Sequence, residues 1–255
     1  MTRLSARRPA NLRPSISASA TVSGVPTNAV ELPGGRMVPA QWAGPMLVDG
    51  AAGPKRLVFV VPAMKAGEEI RAKPMTINHV ASPPAFAFKE SAEGFPELSF
   101  VATGKEPRKV LQYFSPKRTA TDHYYTFKPF HNLFDPGEGK VMLTNTSAKS
   151  AKDGQFPHHR GLFFGFNRVS YDGADGKKKT ADIWHGTANV YSEHEKMLGT
   201  DAGPVLGRHR SLIAWHGADG KVYAVAQGPV STSGFSAAGA GATLTQGVPT
   251  GGRIP

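Results

Sequence analysis

The sequence predicts an all-β fold, and three observations carry that prediction. Turn-forming residues are abundant, with 29 glycines and 21 prolines among 255 residues, a composition that favours short strands joined by turns over long helices. The longest apolar runs, such as residues 57–61, are strand-sized. Several segments alternate with period two, as in residues 85–88 and 207–217, which is the signature of a strand with two unlike faces. No segment predicts a helix longer than one or two turns.

Residues 1–25 are rich in Arg, Ser, Ala and Pro and contain no acid. This composition cannot bury enough surface to order itself, so a disordered leader or a misassigned start is expected. The stretch lacks the apolar run of a recognisable secretory signal, although its bias faintly resembles a transit peptide. Residues 26–80 read as a small N-terminal β module. Its apolar runs end at Pro33-Gly34-Gly35, at Asp49-Gly50 and at Pro62, each a turn signal. Ser82-Pro83-Pro84 marks the best internal boundary.

Residues 81–225 form the main predicted domain. Strands are expected over 97–101 and 109–114, and again from Leu162 to Tyr171, where aromatics on both faces suggest a strand buried on both sides. Asp172-Gly173 and Asp175-Gly176 are turn signals, and residues 181–185 read as the returning strand. A further strand over 207–217 ends at Asp219-Gly220. Residues 226–255 carry one charge, Arg253, and almost no large apolar side chain. They are expected to be a disordered Gly/Ala-rich tail, either natural or the product of a shifted reading frame after a truncated domain.

Composition excludes several functions. The absence of cysteine removes disulfides, thiolate metal sites and cysteine nucleophiles. No window approaches the roughly eighteen apolar residues of a membrane-spanning helix, so a soluble protein is expected. The formal charge of +11 includes four arginines in the first thirteen residues. Lys177, Lys178 and Lys179 form the one tight basic cluster and read as a solvated hairpin tip. No nucleic-acid-binding pattern accompanies the charge, but a basic surface suits acidic small molecules.

The candidate chemistry is concentrated. Eight of nine histidines lie between His123 and His216, and imidazole is both a common metal ligand and the usual acid–base group near neutral pH. His158-His159-Arg160 heads the segment PHHRGLFFGF. Arg160 offers a fork of donors for a carboxylate or phosphate. Asp182 and Trp184 share one face if residues 181–185 are a strand, with His185 opposite. A Trp beside such groups can hold a sugar by its apolar face. The expected catalytic set is His159, Arg160, His185, His194 and Glu195, and the expected binding set is His131, His158, Asp182 and Trp184. Each element alone has a plainer structural explanation; the clustering raises the functional one. GxSxG, P-loop and GxGxxG fingerprints with supporting context are absent.

PHHRGLFFGFN, with KPFHNLFDPGEGK before it and DIWHG, EHEKML and AGPVLGRHR after it, resembles a bacterial family labelled PmoA-like. The resemblance covers roughly residues 27–225 and implies a β-sandwich, with a supersandwich as one form. It also implies a carbohydrate role, through the polysaccharide-degrading genomes in which such proteins occur. The label refers to a multi-span methane monooxygenase subunit, and the absence of any apolar span argues against that activity here.

Three functions therefore stand at the sequence level. They are an enzyme on a carbohydrate or related polar metabolite, a non-catalytic glycan-binding module, and a metal-dependent oxygenase or hydrolase. The last would draw three ligands from His131, His158, His159, His185 and His194. The sequence names no cofactor and no particular metal, and the expected partner is a small-molecule or glycan ligand.

Overall fold

The computed structural model describes residues 27–44, 55–61, 65, 67–78, 85–144, 158–173 and 175–225 in full, and places backbone strands at 4–7, 16–20, 226–236 and 239–246. The architecture is all-β and sandwich-like. Among the described residues the helical content is a single turn, α1 (His123–Thr126), and a short 3-10 segment at Thr187–Asn189.

The first sheet holds six antiparallel strands: β1 (Leu4–Arg7), β2 (Ile16–Ala20), β3 (Ala29–Leu32), β4 (Arg36–Ala43), β5 (Arg56–Val61) and β6 (Glu69–Met75). They lie in the order β1-β6-β3-β4-β5-β2. Alternation explains the sheet: Leu57, Phe59 and Val61 are buried on one face of β5, and Ile70 and Ala72 on β6 join them with Val30, Leu32, Val38 and Ala40. The turn at Pro33-Gly34-Gly35 needs left-handed backbone at both glycines (φ 82° and 77°). β1 and β2 lie within the stretch read as a leader.

Two further sheets build the sandwich. β7 (Ala85–Glu90), β8 (Pro96–Val101), β9 (Arg108–Phe114) and β10 (Phe130–Leu133) pair antiparallel in the order β10-β9-β8-β7. β13 (Tyr191–Asp201), β14 (Leu206–His216), β15 (Val222–Ser236) and β16 (Gly239–Gln246) pair in sequence order. The two faces meet where Phe86 and Leu98 close over Gly207, leaving no room for a Cβ there. They meet again where Tyr113 and His131 pack, with tilted rings, against His209. β15 and β16 occupy the stretch read as a Gly/Ala-rich tail.

Between the sandwich sheets in sequence, β11 (Val169–Asp172) and β12 (Lys178–Ala181) form a two-stranded hairpin. Its turn closes through the amide of Gly173 donating to Lys177 O. Lys178 lies at this solvated tip and pairs with Asp172 at 2.6 Å.

The expected doubly buried strand from Leu162 to Tyr171 does not form. Leu162 makes one bridge, to His131, and regular pairing begins only at Val169. Leu162 is 37% exposed and Phe166 is 50% exposed. The aromatics on both faces serve two tryptophans instead of two sheets: Phe163 packs on Trp184, and Phe164 and Phe166 on Trp215. Gly161 at φ 48° turns the chain against the His131 carbonyl, where a Cβ would collide. Residues 182–185 likewise form a turn, and β12 ends at Ala181.

The N-terminal sheet is tied to the sandwich through β14. Arg208, 2% exposed, donates from Nε and Nη2 to Asp201 at 2.7 Å and from Nη2 to the Gly44 carbonyl at 2.7 Å. Gln41 accepts from the amides of Val205 and Leu206. Removing one partner of a buried, hydrogen-bonded charge pair costs about 3–5 kcal/mol. Arg208→Met is therefore expected to lower the urea unfolding midpoint by a comparable stability loss, and Asp201→Asn by less. An Arg208→Met loss below about 0.5 kcal/mol would remove this strut from the account.

Candidate functional site

The predicted histidines separate into two groups. The first lies at a corner built by the segment after His158 and the turn after β12. The amide of Leu162 donates to His131 O and the amide of His131 to Leu162 O, both at 2.8 Å, which fixes the PHHRG segment beside β10. Lys128, 2% exposed, then ties the two halves together. Its Nζ donates to His158 O at 2.6 Å and to Trp184 O at 2.9 Å. The same ammonium lies 3.2 Å from the centre of the Phe163 ring, a favourable face for a cation.

At this corner the imidazoles of His158 and His159 are 4.3 Å apart between centroids, and His158 and His185 are 4.6 Å apart. His159 sets its edge to Trp184 at 5.5 Å. Asp182 accepts twice from His185, from Nδ1 at 2.8 Å and from the backbone amide at 2.9 Å. The strand reading put Asp182 and His185 on opposite faces. The turn puts them together, because a short Asp side chain readily captures amides two or three residues ahead.

The turn continues through left-handed backbone at Gly186 (φ 68°), Ala188 (φ 52°) and Asn189 (φ 61°). A Cβ at Gly186 would strike the Phe127 ring, and the Gly186 carbonyl accepts from His123 Nε2 at 2.7 Å. Burial and the neighbouring cation of Arg160 pull the Lys128 ammonium down to about 6, with Asp182 opposing them. His158 is lowered too, first by desolvation and then by His159, His185 and Lys128.

The second group is buried between the sandwich sheets. His131 Nε2 and His209 Nε2 are 2.8 Å apart, so one nitrogen carries the proton and the other accepts it. Desolvation holds His131 down to about 4 and His209 well below the ordinary histidine range. Tyr113 stacks on His131 at 4.7 Å and hydrogen-bonds His194 Nδ1 through its hydroxyl at 3.1 Å. Both buried imidazoles are neutral core members at neutral pH.

The structure thus brings together His158, His159, Asp182, Trp184 and His185. It puts His131 in the buried group and the half-buried His194 beside it, through the Tyr113 hydroxyl. Arg160 is also buried, with its guanidinium 4.9 Å from Tyr124 and 4.7 Å from Tyr125, so it braces the segment from beneath. Glu195 lies on β13 with Glu193, beside His216 of β14. Among the described residues these three alone bring potential ligand atoms within 4.8 Å of one another; the five histidines expected as a ligand set supply no such trio.

Sequence reasoning missed Lys128, Tyr113 and His209. Lys128 had a visible signal, a single cation inside Phe127-Lys128-Pro129-Phe130, where an unpaired charge would have no reason to be buried. A separate cleft of about 370 Å³ is lined by Lys89, Arg108, Lys109 and Lys140 among others. Lys109 is spent on Glu97 at 2.7 Å, Lys140 on Glu138 at 2.8 Å, and Arg108 on the Pro136 and Gly137 carbonyls.

Residues 101–232, about half of the chain and all of the corner, match the model of a family of unknown function, DUF6807. The chain belongs to the DUF6807 family. A second model, that of the flagellar P-ring protein, matches residues 211–255 and overlaps the end of the DUF6807 segment. Over 55 residues the chain is 51% identical to the flagellar P-ring proteins of Allorhizobium ampelinum and Agrobacterium fabrum, which is 22% of this chain and 15% of each of theirs. Identity to the P-ring protein of Sinorhizobium fredii is 49% over the same length. The chain therefore spans about 15% of the length of these curated relatives. No solved structure matches.

The DUF6807 corner carries a pH signature of its own. Lys128 binds its proton less tightly in the folded chain, at about 6 against 10.5 when solvated, so between these values the unfolded state holds more protons and stability rises with pH. Lys128→Met lacks that linkage. The stability of the native protein minus that of the variant is expected to increase from about pH 6 to about pH 9 in denaturant titrations. A flat or falling difference would contradict a buried, depressed ammonium.

Proposed function

We propose that this protein is an enzyme that performs acid–base chemistry on a carbohydrate or related polar metabolite at the corner of His158, His159, Asp182, Trp184 and His185. The observation that carries the reading is the Asp182–His185 pair at 2.8 Å. A carboxylate on Nδ1–H fixes the imidazole tautomer, leaves Nε2 as the basic nitrogen, and stabilises the imidazolium formed when a proton is taken. The pair is accessible, with side-chain exposures of 41% for His185 and 22% for Asp182.

The neighbours supply what such a base needs. Trp184 offers a ring against which the apolar face of a sugar stacks, and His158 and His159 offer hydrogen bonds to hydroxyls. Arg160 puts positive charge beneath the corner, which favours an anionic substrate or a developing oxyanion, and Lys128, held down to about 6, is mostly a neutral amine there at neutral pH. The PHHRG and DIWH elements that form the corner are the ones that resemble the PmoA-like family, whose genomic setting supports a carbohydrate substrate.

The test is a panel of neutral glycosides, uronates and phosphorylated sugars assayed with the full chain and its variants. His185→Ala and Asp182→Asn are each expected to reduce kcat at least about 100-fold, in line with loss of a general base or its orienting group. His159→Ala should raise KM with a smaller effect on kcat. If His159→Ala and His185→Ala both turn over substrate as well as the native protein, the catalytic reading fails. Retention on glycan resin lost in Trp184→Ala alone would assign the corner to binding without chemistry.

A further inference from the structure

Glu193, Glu195 and His216 form a cluster apart from the proposed acid–base corner. Tyr191 pairs with His216 across β13 and β14, and their rings stack at 4.2 Å and 6°. Period two puts Glu193 on the same face as Tyr191. The register slips between His194 and Lys196, and the extra residue at that slip is Glu195, which a bulge can re-aim toward its neighbours. One ligand atom from each of Glu193, Glu195 and His216 comes within 4.8 Å of the others.

The independent observation is the imidazole. His216 is 8% exposed. Its Nδ1 lies 3.0 Å from the Gly220 carbonyl, an acceptor that requires Nδ1 to carry the proton. The lone pair is then on Nε2, and that atom is buried without a hydrogen-bond partner. A basic nitrogen withheld from water beside two carboxylates is costly unless something electrophilic meets it. A backbone carbonyl on the far nitrogen is also the usual way a metal-binding histidine is held in its tautomer.

We infer that Glu193, Glu195 and His216 bind a divalent transition-metal cation, with His216 Nε2 and the two carboxylates as its protein ligands. Two hard oxygens and one imidazole suit Zn²⁺, Mn²⁺ or Fe²⁺. Three donors sharing an ion at about 2.0–2.2 Å stand roughly 3.3–3.8 Å apart, so closure from a 4.8 Å spread asks for a movement of up to about 1 Å. Glu195, exposed on the bulge, has the freedom to make it. Glu193 is steadied by the Arg118 amide at 3.4 Å, and the Arg118 guanidinium is spent on the Tyr191 ring at 4.5 Å.

The experiment is Zn²⁺ titration of the full chain, made without a polyhistidine tag and stripped with chelator, with Co²⁺ absorption as a second readout. One equivalent of Zn²⁺ is expected, with affinity reduced at least about tenfold in Glu195→Gln and more in His216→Ala. Glu195 is exposed, so its variant folds even if His216→Ala does not. His159→Ala and His185→Ala should bind Zn²⁺ like the native chain. Absence of saturable binding, or binding indifferent to Glu195→Gln and lost in His159→Ala, overturns the assignment.

Discussion

A buried lysine amine holds the candidate corner together. The segment from His158 to Phe166 has no strand ladder to fix it, and the turn from Asp182 to Gly186 follows the end of a short hairpin. Lys128 reaches both through two carbonyl oxygens and covers its remaining surface with aromatic faces. No buried carboxylate pairs with it, so burial and the nearby Arg160 cation disfavour its charged form, and carbonyl oxygens and ring faces hold the amine in place. The spacing of His158, His159, Trp184 and His185 follows from this one side chain and from the His131–Leu162 bridge beside it.

The histidines illustrate how burial sorts one residue type into different roles. His131 and His209 satisfy each other in the interior, and desolvation keeps both neutral. His185, in a turn, keeps an exposed ring and a carboxylate at Nδ1. His216 presents a buried lone pair beside acids. The clustering in the sequence is real, but it is the sum of three environments.

The all-β class, the core alternation of the first sheet and the Asp-Gly turns were legible because period two and turn chemistry are local properties. So was the region of the corner, since PHHRG and DIWH do meet. The Leu162–Tyr171 strand was misread because aromatics packing on Trp184 and Trp215 leave the same pattern as burial between two layers. Asp182 and His185 were separated by that same assumption of a strand. Arg160 was expected at a ligand and is found against Tyr124 and Tyr125, a choice set by residues far back in the chain. The Gly/Ala richness after Val225 belongs to a stretch similar to flagellar P-ring proteins, and composition alone carries no such likeness.

The left-handed run after His185 has one more consequence. Non-glycine residues at such angles cost about 1–3 kcal/mol each, and here Ala188 and Asn189 stand in sequence behind Gly186. Glycine at 188 would relieve part of that cost, yet it would also widen the range of orientations open to the His185 ring. Backbone economy and a fixed ring orientation therefore make opposite demands on this loop, and alanine at 188 meets the second at the expense of the first.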